Sequence, residues 1–184
     1  MMERNRRAVI LLDLIEQLRD NLSWCGETHI QKATYFLQEM MQVPLGFEFI
    51  LYKHGPFSFD LADEITAMRA DNLLKVQPQP YPYRPSILPG KASESLMKRF
   101  PKTLKKFRPY IAFVAEKLGG KKVNDLERLA TALYVILENE SDSNVQSQAQ
   151  RVHKLKPHIP IEEAIEAVKT VDEFLKESKV ILQA

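Results

Sequence analysis

Five prolines stand between Gln77 and Gly90, at positions 78, 80, 82, 85 and 89. Proline lacks a backbone N–H and its ring clashes with a preceding helical turn, so this density excludes an α-helix and a central strand. We therefore expect an extended loop or an edge hairpin here. The segment divides the chain into residues 1–90, where helical and strand patterns alternate, and residues 91–184, where the apolar residues recur at helical spacing.

Two helices are predicted at the start of the chain, because apolar residues recur there at intervals of three and four. The first runs from about Arg4 to Arg19. The second opens at Thr28, where Gln31 stands at the spacing of a capping box. Its buried stripe is expected to include Ile30 and Leu37, which leaves Gln31 and Tyr35, four residues apart, on another face.

A strand is predicted over residues 47–52, Phe-Glu-Phe-Ile-Leu-Tyr, which are aromatic-rich and short. Gly55-Pro56 is then expected to turn the chain sharply out of this strand, since proline fixes its own φ and glycine tolerates angles that other residues avoid. A third helix follows, with Ser58 or Asp60 as its N-cap, and residues 73–76 form a second strand.

The order of elements in residues 1–90 has winged-helix-like features, with residues 74–88 as the wing. The interval from Met41 to Ser58 is much longer than the turn of a helix-turn-helix, however, and this argues against a DNA reader. Together with the helical residues 91–184, the patterns predict an α+β fold that is predominantly α-helical. We expect a helical core with a small antiparallel sheet, and C-terminal helices packed on it as one structural unit.

The composition restricts the cellular setting more than the function. A single cysteine, Cys25, excludes an internal disulfide and is typical of a reducing cytoplasm. No uncharged apolar run approaches the roughly 18 residues of a membrane span. The net charge of +2 indicates no particular partner. We expect a cytoplasmic protein without membrane attachment.

Catalytic and metal-binding motifs give little support for an enzyme. No histidine pairs with another histidine or with Cys25 at a ligand spacing, and no phosphate-loop or dinucleotide motif is present. Cys25 could act as a nucleophile at the start of the second helix beside His29. A lone thiol next to Trp24 is more often a packing residue. The prediction is a non-enzymatic protein without metal or cofactor.

A basic segment follows the prolines: residues 91–122 contain ten lysines and arginines and two glutamates. Four lysines lie away from the apolar stripe of the predicted helix and form a basic face over residues 98–108: Lys98, Lys102, Lys105 and Lys106. Such a face suits nucleic-acid phosphates or an acidic protein, although most charge runs are simply solvated. Tyr81 and Tyr83 add two aromatic contact anchors within the proline-rich loop.

The segment Tyr-Lys-His-Gly-Pro-Phe, residues 52–57, is only partly explained by turn formation, because a turn does not require Tyr52, Lys53 and His54. With the second helix it carries a family resemblance. Residues 29–40, HIQKATYFLQEM, followed by residues 51–65, LYKHGPFSFDLADEI, resemble the SocA-like, or Panacea, domain family, including its YwgA-like members. Residues 126–136, LERLATALYVI, resemble a later helix of the same proteins, so the similarity covers about residues 5–140.

This resemblance implies an antitoxin-like or adaptor-like module that captures a protein partner, such as a toxin or a component of a protease system. The matching positions and their neighbour His54 are expected to form the binding surface. They are Gln31, Lys32 and Tyr35 on the second helix, and Tyr52, Lys53, His54 and Phe57 after the strand. The alternative is a winged-helix-like nucleic-acid-binding regulator that uses the basic face and the proline-rich loop.

Overall fold

The computed structural model describes residues 2–80, 84–139 and 144–183. Tyr81 and Tyr83 therefore lie outside the described residues. The elements in chain order are α1 (Arg4–Asp20), α2 (Glu27–Tyr35), a π-helical turn (Phe36–Met40), β1 (Ile50–Tyr52), β2 (Gly55–Phe57), α3 (Phe59–Ala70), β3 (Leu74–Gln77), β4 (Ser86–Pro89), α4 (Ser93–Arg99), α5 (Pro101–Leu118), α6 (Val123–Glu138), α7 (Val145–Leu155) and α8 (Ile161–Leu182).

The predicted fold class is confirmed, since the chain is predominantly helical with a small amount of antiparallel sheet. Instead of one sheet there are two separate hairpins, β1 with β2 and β3 with β4. The second hairpin pairs Leu74 with Pro89 and Gln77 with Ser86. It is the edge hairpin predicted from the prolines, and it occupies the predicted position of the wing. The first hairpin fills the interval between α2 and α3.

Helix α1 lies at the centre of the core, and residues 8–15 are all buried. A helix that is apolar on every side must be surrounded by other elements, and α1 packs along α5 and also against α2, α4 and β4. Asp13 is the exception in this stretch, and its buried carboxylate accepts hydrogen bonds from Arg108 at 3.1 Å and Gln17 at 2.9 Å. Residues on both sides of the proline-rich segment thus contribute to one core.

A buried carboxylate also joins α1 to α3. Glu64 on α3 receives hydrogen bonds from Arg4 and Arg7, each at 3.0 Å. The start of α3 agrees with the prediction, because the Ser58 hydroxyl caps the helix by accepting a hydrogen bond from the Leu61 N–H at 3.2 Å.

The capping box predicted at Thr28 is wrong. Helix α2 begins at Glu27, its N-cap is Gly26, and no side chain caps it. Gln31 is not available for a cap because its amide pairs with the backbone of Ser58, donating to the carbonyl at 2.9 Å and accepting from the N–H at 3.0 Å. This double hydrogen bond fixes α2 against the chain that leads into α3.

The predicted strand over residues 47–52 is shorter than expected, since β1 contains only Ile50–Tyr52. Its early part is held by a side chain instead of a neighbouring strand. Gln38 accepts a hydrogen bond from the Phe47 N–H at 2.9 Å and donates to the Phe47 carbonyl at 2.8 Å. An amide side chain can satisfy both backbone groups of an extended residue, so no strand partner is needed there.

Candidate functional site: a pinned hairpin beside a basic cleft

The turn of the first hairpin lies two residues earlier in the chain than predicted. Strands β1 and β2 pair Ile50 with Phe57 and Tyr52 with Gly55, so Lys53 and His54 form the turn. Gly55 follows with φ +83°, a left-handed conformation that glycine adopts without strain and that is typical of bulged hairpins. The prediction that Gly55-Pro56 turns the chain from a strand into a helix is therefore wrong, because these residues belong to β2.

Gly55 is also required for close packing. A Cβ atom at this position would lie 3.2 Å from the Thr131 Oγ1 atom and 3.5 Å from the Glu127 carbonyl oxygen, both on α6. The hairpin therefore rests directly on α6, and the glycine allows that approach.

Two lysines bind the hairpin backbone from the protein interior. Lys32 of α2 is only 1% exposed, and its ammonium donates to the Pro56 carbonyl at 2.7 Å. Lys156, which follows α7, donates to the carbonyls of Tyr52 and Lys53, the second at 2.8 Å. Burial lowers the pKa of Lys32 to about 8, and it lowers the pKa of Lys156 as well.

Glu127 supplies the negative charge beneath the hairpin. This buried carboxylate of α6 lies 4.0 Å from the Lys156 ammonium, 3.1 Å from the His158 Nε2 atom and 3.6 Å from the His54 Nδ1 atom. Its charge partly offsets the effect of burial on both lysines by raising their pKa values. The two ammonium groups thus fix the backbone of residues 52–56, and the Glu127 carboxylate lies beside Lys156 and the His54 side chain of the turn.

Three of the predicted binding residues belong to this interior and not to a surface. The exposed fractions are 0% for Gln31, 1% for Lys32 and 3% for Tyr35. The predicted surface position of these residues is wrong because the hairpin covers the face of α2 that the sequence leaves polar. Tyr35 packs edge-on against the Phe49 ring at 5.0 Å between centroids, and burial raises the pKa of its hydroxyl.

The other four predicted residues lie at or near the surface. Lys53 and His54 are exposed in the turn, Tyr52 is 52% exposed and Phe57 is half-buried. The rings of Tyr52, Phe57 and Phe59 contact one another, with centroid separations of 5.7, 5.7 and 5.1 Å.

Two apolar residues of this region were missed by the sequence prediction. Phe59 is 55% exposed and Ile50 is 43% exposed. Both stand two positions from a predicted residue, since Ile50 precedes Tyr52 and Phe59 follows Phe57, and alternation along the strands could have identified them. We call Ile50, Tyr52, Phe57 and Phe59 the aromatic patch.

A cleft of about 910 Å³ lies between the hairpin, the start of α2, the connection from α5 to α6, and β3 with the residues before and within β4. Among the charged side chains on its walls the basic ones outnumber the acidic ones, and they include Lys53, Arg84, Lys121 and Lys122. Trp24 and Tyr52 contribute exposed rings. We call this space the basic cleft.

The Cys25 and His29 pair does not have the properties of a catalytic nucleophile and base. Cys25 is completely buried, and burial raises the pKa of its thiol to about 12, so the thiol is protonated at neutral pH. The His29 Nδ1 atom is hydrogen-bonded to the Ser23 hydroxyl at 2.9 Å. Burial also lowers the pKa of His29 to about 4.

We expect Cys25 to react slowly with iodoacetamide in the folded protein. Its burial and raised pKa leave almost no accessible thiolate. Mass spectrometry should find little alkylation under native conditions near pH 7.5 and complete alkylation after unfolding in urea. Rapid native alkylation would contradict the buried, protonated thiol and restore the nucleophile hypothesis.

The four lysines of the predicted basic face are exposed but do not share one helix. Lys98 is on α4, where it forms an ion pair with Glu94 at 2.6 Å. Lys102, Lys105 and Lys106 are on α5. Phe100 separates the two helices with φ −125° and ψ 47°, and Pro101 starts α5, a position that suits proline. The prediction of a single helix face over residues 98–108 is therefore wrong.

Comparison with models of known protein families finds no match, and comparison with curated proteins finds no significant similarity. The SocA-like resemblance stays a prediction from the sequence. Within residues 2–80, 84–139 and 144–183, no three His, Cys, Asp or Glu side chains are grouped as a metal site would require. Over the same described ranges, no helix is both long and apolar enough to cross a membrane.

Proposed function

We propose that this protein is a non-enzymatic binding module that captures a protein partner through the aromatic patch. The observation that carries the proposal is the exposure of Ile50, Tyr52 and Phe59 as neighbours on one small hairpin and the helix after it. Scattered exposed apolar residues are ordinary on a protein surface, whereas contiguous groups of them mark interaction sites. Aromatic residues in particular are enriched among those that dominate binding energy.

The fixed backbone of the hairpin supports the same proposal. Lys32 and Lys156 hold three backbone carbonyls of the hairpin by direct hydrogen bonds, those of Tyr52, Lys53 and Pro56. A surface that is already ordered loses less conformational entropy when a partner binds. A free two-stranded hairpin would be marginally stable, so these buried contacts give it a defined shape.

The partner is expected to present apolar side chains to the patch and a carboxylate to Lys53. The Lys53 side chain is exposed in the turn next to Tyr52, and it forms no ion pair among the residues that the structure describes. Complementary charge beside an apolar contact increases the association rate and fixes orientation. With the SocA-like resemblance, this leads us to propose an antitoxin-like or adaptor-like role in the cytoplasm.

A paired-variant capture experiment tests the proposal. Tagged wild type, a Tyr52→Ala/Phe59→Ala variant and a Val180→Ala control should be used for nuclease-treated capture from the native host, with quantitative mass spectrometry. Val180 is a suitable control because it is 70% exposed and lies on α8, outside the patch. We expect one stoichiometric protein that wild type and control retain, and that the patch variant loses by tenfold or more, a loss of about 1.4 kcal/mol or greater.

The melting temperatures of all three proteins should agree closely, because the substituted side chains are exposed. Equal retention by the patch variant would contradict the proposal. The alternative, a nucleic-acid-binding regulator that uses Lys98, Lys102, Lys105 and Lys106, predicts captured material that disappears with nuclease and weakens steeply with salt.

A further inference from the structure

The basic cleft has a marked excess of positive charge, and Lys53 alone among its cations is also assigned to the protein partner. The lysines and arginines on its walls are Lys32, Lys53, Arg69, Arg84, Lys121 and Lys122, and Glu27 is the one carboxylate among its described lining residues. The Lys32 ammonium already donates a hydrogen bond to the Pro56 carbonyl. Arg69, Arg84 and Lys121 form no ion pair with a carboxylate among the described residues. A concave wall of unpaired cations raises the local concentration of anions.

The start of helix α2 faces the same space. Helix α2 begins at the cleft with Gly26 as N-cap and without a side-chain cap, so its first N–H groups have no side-chain acceptor. The N-terminus of such a helix also carries a partial positive charge. The connection from α5 to α6 forms another wall, where a Cβ atom at Gly120 would meet nothing within 4 Å. The start of α6 itself is closed by Asp125, which accepts from the Lys122 N–H at 3.3 Å.

His29 is a buried part of the cleft wall. It is 5% exposed and lines the cleft, and its Nε2 atom has no hydrogen-bond partner in the described part of the chain. The Leu118 carbonyl is near enough to raise the pKa of the ring slightly, but it forms no hydrogen bond of ordinary geometry with Nε2. The Ser23 oxygen accepts from the Cys25 N–H and is also hydrogen-bonded to the His29 Nδ1 atom. The Nε2 atom is itself enclosed, so His29 contributes to the wall of the cleft and exposes no donor to it.

Aromatic rings at the rim distinguish this cleft from a simple anion site. Trp24 is 45% exposed, and its Nε1 atom donates to the Arg84 carbonyl at 2.9 Å, which links the ring to the segment before β4. Tyr52 is exposed on another wall. Aromatic rings next to lysines and arginines are the combination that binds nucleotides, by stacking on the base and pairing with the phosphates.

We propose that the basic cleft binds a nucleotide, with its phosphates toward Lys121, Lys122 and the start of α2 and its base against Trp24. The volume of about 910 Å³ is in the range of small-ligand sites. A free nucleotide and the end of a single strand share this chemistry, and the experiment below distinguishes them. The proposal concerns a different ligand from the protein partner, although Tyr52 and Lys53 belong to both surfaces.

Trp24 is the only tryptophan of the chain, so its fluorescence reports directly on the cleft. The full-length protein should be titrated with ATP, with inorganic tripolyphosphate, with a single-stranded oligoadenylate and with an acidic peptide. We expect a saturable change in Trp24 fluorescence with ATP or the oligoadenylate. The Kd for tripolyphosphate should be at least about tenfold higher than the Kd for the better of these two ligands. ATP binding tighter than oligoadenylate binding identifies a free nucleotide as the ligand, and the reverse order identifies a strand end; both support the proposal.

A Lys121→Glu/Lys122→Glu variant should lose affinity for the nucleotide by about tenfold or more, because two cations near the phosphates become anions. The matched control is Lys169→Glu/Lys179→Glu, which makes the same change of net charge at exposed positions on α8. Circular dichroism should show the same fold for all three proteins.

Three results would overturn the proposal. They are the absence of a saturable signal with both ATP and oligoadenylate at low millimolar concentration, equal affinity of wild type and the Lys121→Glu/Lys122→Glu variant, and binding of tripolyphosphate or the acidic peptide as tight as that of the nucleotide. The aromatic patch retains Tyr52 and Phe59 in every variant used here, so failure of this proposal does not affect the capture experiment.

Discussion

A Lys32→Glu variant is expected to lose roughly 3–5 kcal/mol of unfolding free energy, the range for an uncompensated buried charge. The ammonium of Lys32 donates to the Pro56 carbonyl at 2.7 Å inside the protein. A carboxylate there would face that carbonyl oxygen without a donor, in the same buried region as Glu127. The loss includes both the missing hydrogen bond and the desolvation of a new negative charge.

The matched control is Lys53→Glu, which makes the same change of charge in the exposed turn. Surface substitutions away from special contacts usually change stability by at most about 0.5 kcal/mol, and we expect this value for the control. Urea denaturation of wild type and both variants measures the difference. If Lys32→Glu is as stable as Lys53→Glu, the hydrogen bond to Pro56 does not hold the hairpin.

The two variants also separate stability from binding. Lys53→Glu should retain the fold and weaken capture of a partner that presents a carboxylate to the turn. Lys32→Glu should weaken capture only through loss of the hairpin, because the Lys32 side chain is buried and cannot contact a partner directly. The sequence alone predicts the same outcome for both, and the difference arises from which lysine the hairpin covers.

The sequence predicts well those elements that local patterns determine. Helix α1, the Ser58 cap of α3 and the β3–β4 hairpin follow from helical spacing, a capping residue and a proline run. Each depends on residues within about one element of one another, where propensity and periodicity are informative.

The site is less predictable because its contacts join distant parts of the chain. Gln31 and Ser58 are 27 positions apart, and Lys156 binds Tyr52 from 104 positions away. A polar residue on a helix is usually solvated, and nothing near Lys32 in the sequence indicates the carbonyl that makes its burial favourable. Residue type therefore predicts that Gln31 and Lys32 lie on the surface, whereas in the fold they are buried and hydrogen-bonded.

The basic cleft is not predictable from the sequence for the same reason, because its cations are brought together only by the fold. The cations of the basic cleft come from α2, the first hairpin, α3, the segment before β4, and the connection from α5 to α6. These cations are far apart in the sequence. The lysines from Lys98 to Lys106 are close together, and their spacing therefore predicts a basic face there. In the fold that cluster is divided between α4 and α5, and the dispersed cations meet around one space.

Acid is expected to destabilise this protein through His29. Burial lowers the pKa of His29 from its ordinary value of 6.5 to about 4. Between these values the unfolded chain binds a proton at this ring and the folded protein does not, so stability falls as the pH falls from 6.5 to about 4. The full effect is roughly 3 kcal/mol and is absent above the unfolded pKa.

A His29→Gln variant removes this titration while keeping a polar side chain that can pair with Ser23. We expect the unfolding free energy of wild type relative to the variant to fall by roughly 3 kcal/mol between about pH 7 and pH 4, measured by urea denaturation at each pH. Carboxylates titrate in both proteins and cancel in the difference. Parallel stability curves would show that the folded protein accepts a proton at His29 as readily as the unfolded chain.

Repeating the series with saturating ATP connects this prediction to the basic cleft. A bound phosphate would favour the protonated ring, raise the pKa of His29 and reduce the acid-dependent difference between wild type and variant.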